Sequence, residues 1–262
     1  MNILEEIAER TRKRIAQEKM QIPLEMLKER INLQNNRKAS FLKALKQEGM
    51  SYICEVKRAS PSKGLIAPDF PYLEIAKEYE TAGAAAISCL TEPYWFLGSD
   101  RYLEEISQEV RIPVLRKDFT VDEYMIYQAR ALGASAVLLI CAILGDEELL
   151  AYRQLAEELG MDALVEAHDE KEVERALNAG AKIVGVNNRD LRTFQVDMAN
   201  SIRLRNLAPA DVVFVSESGI QTSDDIDRLY RNRVDAVLIG ETLMRSADKK
   251  AALEKLNGGP VR

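Results

Sequence analysis

The chain has 262 residues, 47% of them hydrophobic, which is enough for one large domain with a sizeable core. Its formal net charge of −6 argues against nucleic acid as the main partner, so any bound anion must be met by locally placed positive charge. A single histidine, His168, excludes histidine-rich metal sites and argues against a Ser-His-Asp triad.

Residues 1–48 read as helices. Ile3, Leu4, Ile7 and Ile15 recur at helical spacing between charges, and Pro23 opens a second segment carrying Leu24, Leu27 and Ile31. Ser40 has the character of an N-cap for Phe41 to Lys46, with Gly49 as a stop. The stretch has no apolar run long enough for a signal peptide, and nothing later in the chain is long and apolar enough to span a membrane. Its length suits helices folded over the end of a larger body, here expected to be the catalytic face; a coiled oligomerisation arm is the alternative.

After residue 51 strands and helices alternate. Strand-like runs fall at Ile53–Val56, Ala86–Leu90, Val114–Arg116, Val137–Ile140, Ala163–Val165, Ile183–Val186, Val212–Val215 and Ala236–Ile239. Helical segments lie between them, among them Tyr72–Ala82, Asp122–Leu132, Asp146–Leu159 and Glu170–Ala179. Such alternation means parallel strands joined by right-handed crossovers. Cys54, Cys89 and Cys141 all sit in apolar runs, without metal-ligand spacing, and read as reduced thiols of a cytoplasmic protein. Ala82-Gly83-Ala84, Leu132-Gly133-Ala134 and Ala179-Gly180-Ala181 repeat before the second, fourth and sixth strands, each supplying a left-handed glycine cap. Before the eighth strand the glycine is missing, and Asn232 is expected to take the left-handed conformation. The fold expected is α/β, a single (β/α)8 TIM barrel at 49–262 behind a helical extension at 1–48, one structural domain overall. A doubly wound sheet is the alternative, but no G-x-G-x-x-G fingerprint follows the first strand.

The polar residues gather where such a barrel does its chemistry, at the C-terminal ends of the strands. Glu55 and Lys57 lie two apart on the first strand and so share a face, and burying two charges is costly unless they pair or work. Ser60-Pro61-Ser62-Lys63-Gly64 follows as a basic, hydroxyl-bearing loop. Lys117 ends the third strand, Glu166 the fifth, Asn187 and Arg189 the sixth, Glu217 and Ser218 the seventh. Gly219 and Gly240, after the seventh and eighth strands, would let backbone N–H groups approach a phosphate, helped by Lys57, Ser60 and Lys63. Phe119 and the Tyr94-Trp95-Phe96 loop suggest an aromatic portion of the substrate. His168 could line the rim, although a lone histidine is more often a satisfied loop residue.

Taken together, Glu55-Val56-Lys57-Arg58-Ala59-Ser60-Pro61-Ser62-Lys63-Gly64, Leu115-Arg116-Lys117-Asp118-Phe119, Leu164-Val165-Glu166, Asn187-Asn188-Arg189-Asp190-Leu191 and Ser216-Glu217-Ser218-Gly219-Ile220 resemble the indole-3-glycerol phosphate synthases. The resemblance covers the whole chain. It implies ring closure of 1-(2-carboxyphenylamino)-1-deoxyribulose 5-phosphate to indole-3-glycerol phosphate with loss of carbon dioxide and water, in tryptophan biosynthesis, without metal or organic cofactor. It also implies that Lys117 is the acid for ring closure and that Glu166 and Lys57 are the pair for dehydration, with Glu55 tuning Lys57 and either partner able to be the acid. Asn187 and Glu217 would position the ring nitrogen and hydroxyls. Ser60, Phe119, Arg189 and Ser218 would contact substrate, and Lys57, Ser60, Gly219, Gly240 and Glu241 would hold the phosphate. Glu241 departs from relatives that carry a small hydroxyl residue, which leaves its backbone N–H as the binding group. Lys117 is expected to be a free ammonium, remote from the Glu55–Lys57 pair.

Three rivals share these residues. A Schiff-base aldolase would also use a strand lysine beside carboxylates, an isomerase would need only one acid and one base, and a sugar-phosphate binding barrel would need neither. The partner expected is a small anthranilate-derived sugar phosphate, with no nucleic acid and no membrane, bound by a monomer or a weak homo-oligomer.

Overall fold

A computed structural model describes residues 2–33, 39–190 and 193–261 of the chain. Eight strands close into a parallel barrel: β1 (Ser51–Val56), β2 (Ala86–Leu90), β3 (Val114–Lys117), β4 (Ala136–Ile140), β5 (Asp162–Ala167), β6 (Ile183–Asn187), β7 (Val213–Glu217) and β8 (Ala236–Ile239), with β1 bonded to both β2 and β8. Both faces of these strands are buried, which is why most read as continuous apolar runs rather than alternating ones. One face points inward: Ile53, Leu115, Leu138, Leu164, Val215 and Leu238 fill the barrel. The other face, including Tyr52, Cys54 and Val56, packs under the surrounding helices. All three cysteines are buried and free.

The crossover helices are α4 (Tyr72–Thr81), α5 (Asp100–Glu109), α6 (Glu123–Ala131), α7 (Asp146–Glu158), α8 (Glu170–Asn178), α9 (Ala199–Arg205) and α10 (Ser223–Arg231), followed by α11 (Glu241–Met244) and α12 (Lys249–Asn257). Asp122, Asp169 and Thr222 cap their helices by accepting backbone N–H groups two or three residues on. The repeated glycines Gly83, Gly133 and Gly180 all have positive φ, as left-handed caps require. Before β8 the left-handed residue is Arg233, with φ of 62°, and not Asn232. The cap's position is fixed by hydrogen bonding: the Arg233 N–H donates to the Tyr230 carbonyl and the Val234 N–H to that of Leu229. Arg205 Nε on the Arg233 carbonyl at 2.6 Å, and Arg233 Nη2 on Asn206 Oδ1 at 3.1 Å, help hold a conformation that a side chain disfavours.

The extension covers both ends of the barrel. Helix α1 (Ile3–Gln21) crosses the C-terminal rim, where Leu4 and Ile7 join Phe119 and Ile140. Helix α2 (Leu24–Asn32) runs on to the flank, its Leu27 packing with Tyr124, Met125 and Ala131 of α6. Helix α3 (Phe41–Leu45) instead closes the opposite, N-terminal end. There the Leu42 N–H donates to Asp162 at the start of β5 (2.9 Å), and Ser51 at the start of β1 donates to the Leu45 carbonyl (3.3 Å). The expectation that the extension lies over the catalytic face is therefore corrected in part: among the described helices α1 does, while Phe41 and Leu45 of α3 stopper the bottom. After β1, the basic, hydroxyl-bearing loop carries a small antiparallel ribbon, Ala59–Ser60 against Gly64–Leu65.

Candidate active site

A cavity of about 980 Å³ opens at the C-terminal ends of the strands, under α1. The residues to which the resemblance gives site roles all line it: Glu55, Lys57 and Ser60 from β1 and its loop, Lys117 and Phe119 from β3, Glu166 from β5, and Asn187 and Arg189 from β6, with Glu217, Ser218 and Gly219 from β7 and Gly240 and Glu241 from β8. Leu191, which closes the β6 motif, lies outside the described residues.

The floor is a cluster of charges that alternate in sign. Glu55 and Lys57 form an ion pair across one β1 pleat. Lys117 Nζ lies 3.1 Å from Glu217 Oε2 and 3.6 Å from Glu166 Oε2. It is thus not the free ammonium expected, because β3, β5 and β7 all aim inward residues at the same level. Burial opposes its charge, but Glu217, Glu166 and Glu55 outweigh that and hold its pKa well above the usual lysine value. Burial also raises the Glu55 carboxyl, yet Lys57 and Lys117 more than offset this and bring it below the ordinary value. Glu217 goes the other way: burial, with Glu166 as a like-charged neighbour, outweighs Lys117 and pushes it up to about 7. Its Oε1 is buried without a hydrogen-bond partner. A proton-labile carboxyl beside a loaded ammonium, with one oxygen uncommitted, is the arrangement that acid–base catalysis needs.

Two glycines make room for it. A Cβ on Gly185, in the middle of β6, would collide with Glu217 Oε1. A Cβ on Gly240 would collide with Glu55 Oε2 and lie 2.8 Å from Lys57 Nζ. Gly185 was missed by sequence reasoning; its only signal is a glycine inside an otherwise apolar strand. Gly219 has φ of +89°, and a Cβ there would meet Val196.

The walls differ in character. Phe96 and Phe119, with ring centroids 6.4 Å apart, line one side beneath Leu4 and Ile7. The Tyr94–Phe96 loop is held by buried Glu92, which accepts the N–H groups of Tyr94, Trp95 and Phe96 at 2.9, 2.7 and 3.0 Å, another residue the sequence did not single out. Tyr94 is turned out of the cavity under Arg10, 4.5 Å above its ring. At the β1, β7 and β8 side the mouth is polar, with Ser60, Ser218, Gly219 and Gly240. Glu241 there is engaged by Lys63 (3.5 Å) and Arg245 (3.1 Å), which hold its carboxyl below the ordinary value against burial. Arg189 Nη1 donates to the Phe194 carbonyl at 3.3 Å, and Asn187 Oδ1 accepts the Arg189 N–H at 3.0 Å, so both also brace the loop after β6. His168 stands behind Glu166 and does not line the cavity.

Residues 4–256 match the family model for indole-3-glycerol phosphate synthase. The chain belongs to the indole-3-glycerol phosphate synthase family. Among the synthases of that name it is 56% identical to the one from Ruminiclostridium cellulolyticum, over 98% of this chain and 99% of the relative. It is 54% identical to that of Lacticaseibacillus casei, over 95% and 96% respectively. Solved structures with the same fold include 3-hexulose-6-phosphate synthase from Salmonella typhimurium, with a TM-score of 0.66 at 14% identity, covering 80% of this chain and 97% of that one. Thiamine phosphate pyrophosphorylase from Pyrococcus furiosus gives 0.62 at 17%, covering 84% and 96%. As an indole-3-glycerol phosphate synthase the chain is a carboxy-lyase of tryptophan biosynthesis. No helix among the described residues is long and apolar enough to cross a membrane.

Proposed function

We propose that this synthase closes the indole ring of 1-(2-carboxyphenylamino)-1-deoxyribulose 5-phosphate with Lys117 as the acid, and completes the reaction with Lys57 and Glu166. The observation that carries this reading is the Lys117 ammonium at the cavity floor, loaded by two carboxylates. A ketone oxygen gains alkoxide character as the aromatic carbon attacks it. That developing oxyanion is a far stronger base than either carboxylate, so the proton leaves Lys117 only in the transition state. Loss of carbon dioxide then restores the aromatic ring.

Dehydration needs an acid on the departing hydroxyl and a base for the adjacent ring proton. Lys57, charged beside Glu55, is the acid; Glu166, 3.6 Å from the now neutral Lys117, takes the carbon-bound proton and returns it to that lysine. The balance closes. Two protons leave the lysines, one is recovered, and the one drawn from solvent matches the carboxylate charge lost as neutral carbon dioxide. Glu217, with its uncommitted oxygen, and Asn187 orient the ring nitrogen and hydroxyls. Phe119 and Phe96 flank the aromatic ring, and Arg189 braces the loop after β6. The phosphate sits at the polar mouth on Ser60, Ser218 and the backbone of residues 219, 240 and 241, with Lys57 and Lys63 supplying positive charge. The acidic Glu241 side chain contributes by holding Lys63 and Arg245 there rather than by touching phosphate. The substrate is the only partner in this reading: the −6 balance favours no nucleic acid, and the enzyme works in the cytoplasm as a monomer or weak homo-oligomer.

Lys117→Met keeps the apolar stem and removes the proton, so kcat should fall by about 10²–10⁴ with KM little changed. Indole formation from synthetic substrate, followed by absorbance, reads both constants. Retention of more than about a tenth of parental kcat would remove Lys117 from the acid role.

A further inference from the structure

The one histidine of the chain takes no part in the mechanism above, yet its surroundings are built. His168 follows β5, one residue beyond its end, with its side chain largely buried. Glu172 on α8 fixes the ring: Glu172 Oε2 lies 3.1 Å from Nδ1 and also accepts the His168 backbone N–H at 2.8 Å. Asp169 caps the Glu172 N–H, and Asn200 of α9 donates to the His168 carbonyl at 3.0 Å, so loop and ring are held from two helices. A carboxylate oxygen can only accept, so the proton of a neutral ring would sit on Nδ1. Nε2 then faces Glu166 Oε1 at 3.5 Å, buried and without a hydrogen-bond partner. A ring-nitrogen lone pair aimed at a carboxylate oxygen is repulsive, and a proton between them turns the contact attractive.

We propose that His168 is a positioning residue for Glu166: as an imidazolium it directs Nε2–H at Oε1, fixing the carboxylate so that Oε2 serves Lys117 and the substrate. This rests on the reading of Glu166 as the dehydration base. The other charged groups facing the ring are consistent with it. Glu217 of β7 adds negative charge from across the barrel; Lys117 of β3 takes the opposite oxygen of Glu166. Arg203 of α9 pairs with Glu170, and Arg175 of α8 is spent on Asp146 and the carbonyls of Cys141 and Leu144, so neither cation opposes the ring's charge at close range. Burial disfavours the imidazolium, but the Glu172 contact and the Glu166 charge outweigh it and raise the His168 pKa above its ordinary value. A raised pKa keeps the proton on to higher pH than in a free imidazole and releases it as pH rises through the folded value, so kcat should decline on the alkaline side of that value.

Because His168 is the only histidine, its ring resonances can be followed in the intact enzyme by NMR without assignment. The parent should titrate above about 6.5, and Glu166→Gln and Glu172→Gln should each move the midpoint down by about one unit. In kinetics, His168→Leu should lower kcat about tenfold with KM within about twofold, and His168→Gln, which restores a donor but cannot titrate, should recover part of it. The alkaline decline in kcat should be absent from His168→Gln. A midpoint indifferent to Glu166→Gln in an otherwise inactive variant overturns the His168 assignment alone, as does a parental alkaline limb in His168→Gln. A midpoint that moves while Glu166→Gln keeps parental kcat overturns the reading of Glu166, and the His168 proposal goes with it.

Discussion

At Gly185 a missing side chain sets the position of the Glu217 carboxylate. Its Cβ would occupy the space of Glu217 Oε1 and come within 3.1 Å of Leu164 Cδ1, so an alanine must displace the carboxylate that loads Lys117. Overpacking of this kind costs about 1–3 kcal/mol, a loss of only a few degrees in Tm for a chain of this size. The catalytic effect should be larger: Gly185→Ala is expected to lower kcat at least about tenfold, since small displacements of groups that orient substrate are amplified in rate. Melting and steady-state rates measured together decide it, and parental kcat in a folded variant would show that Glu217 tolerates movement. Glu55, Lys57, Lys117, Glu166 and Glu217 were legible in the sequence because a charge inside an apolar strand is expensive and calls for a reason. Gly185 was not, since nothing in a sequence says which inward neighbour needs the room. Nor was the pairing of Lys117, because strands distant in sequence meet only once the barrel closes.

At the scale of elements, the roof of the cavity is held by a buried charged anchor, with the exposed pair of Lys19 and Asp122 beside it. Arg14 reaches from α1 to Asp118, just past β3, with Nη2 3.0 and 2.9 Å from its two oxygens. Asp118 is fully buried; Thr91 donates to it at 2.7 Å and Arg116 Nη2 lies 3.6 Å away. Burial would raise this carboxyl, but Arg14 and then Arg116 dominate and hold it below the ordinary value. Arg14→Met should therefore cost about 3 kcal/mol, the lower end for breaking a buried pair, because Arg116 and Thr91 remain. Loosening α1 also loosens Leu4 and Ile7 over the cavity, so KM should rise more than kcat falls. Asp118→Asn removes the charge, and in that background Arg14→Met should cost measurably less. Simple addition of the two costs in denaturant titrations would mean that Arg14 and Asp118 are not coupled. The helices of the extension were readable from their spacing, but an amphipathic stripe reports only that a face is buried. It does not say which end of the barrel buries it. Hence α3, whose Phe41 and Leu45 plug the bottom, was misplaced, whereas the strands, constrained by alternation and short loops, were placed correctly to within a few residues.

Across the whole molecule, the buried ionisable groups around the cavity pull stability in opposite directions as pH changes. Glu55 and Asp118 have lowered folded pKa values, so their contributions are present above the unfolded carboxyl range and are lost as pH falls through the folded values. Glu217 has the opposite sign. Its folded pKa of about 7 exceeds the unfolded value, so the native state prefers the proton, and stability from this group is full at low pH and declines as pH rises towards 7. The displacement corresponds to about 3 kcal/mol. His168, also raised, loses stability in the same direction as pH rises, so comparing two proteins that both retain it isolates Glu217. Glutamine mimics the protonated acid at every pH. Glu217→Gln should therefore melt close to the parent near pH 5 and increasingly above it towards pH 8, by about 5–10 °C, while kcat falls. A Tm difference independent of pH across that window would show that Glu217 does not titrate there, leaving it only the proposed part of orienting the ring nitrogen and hydroxyls.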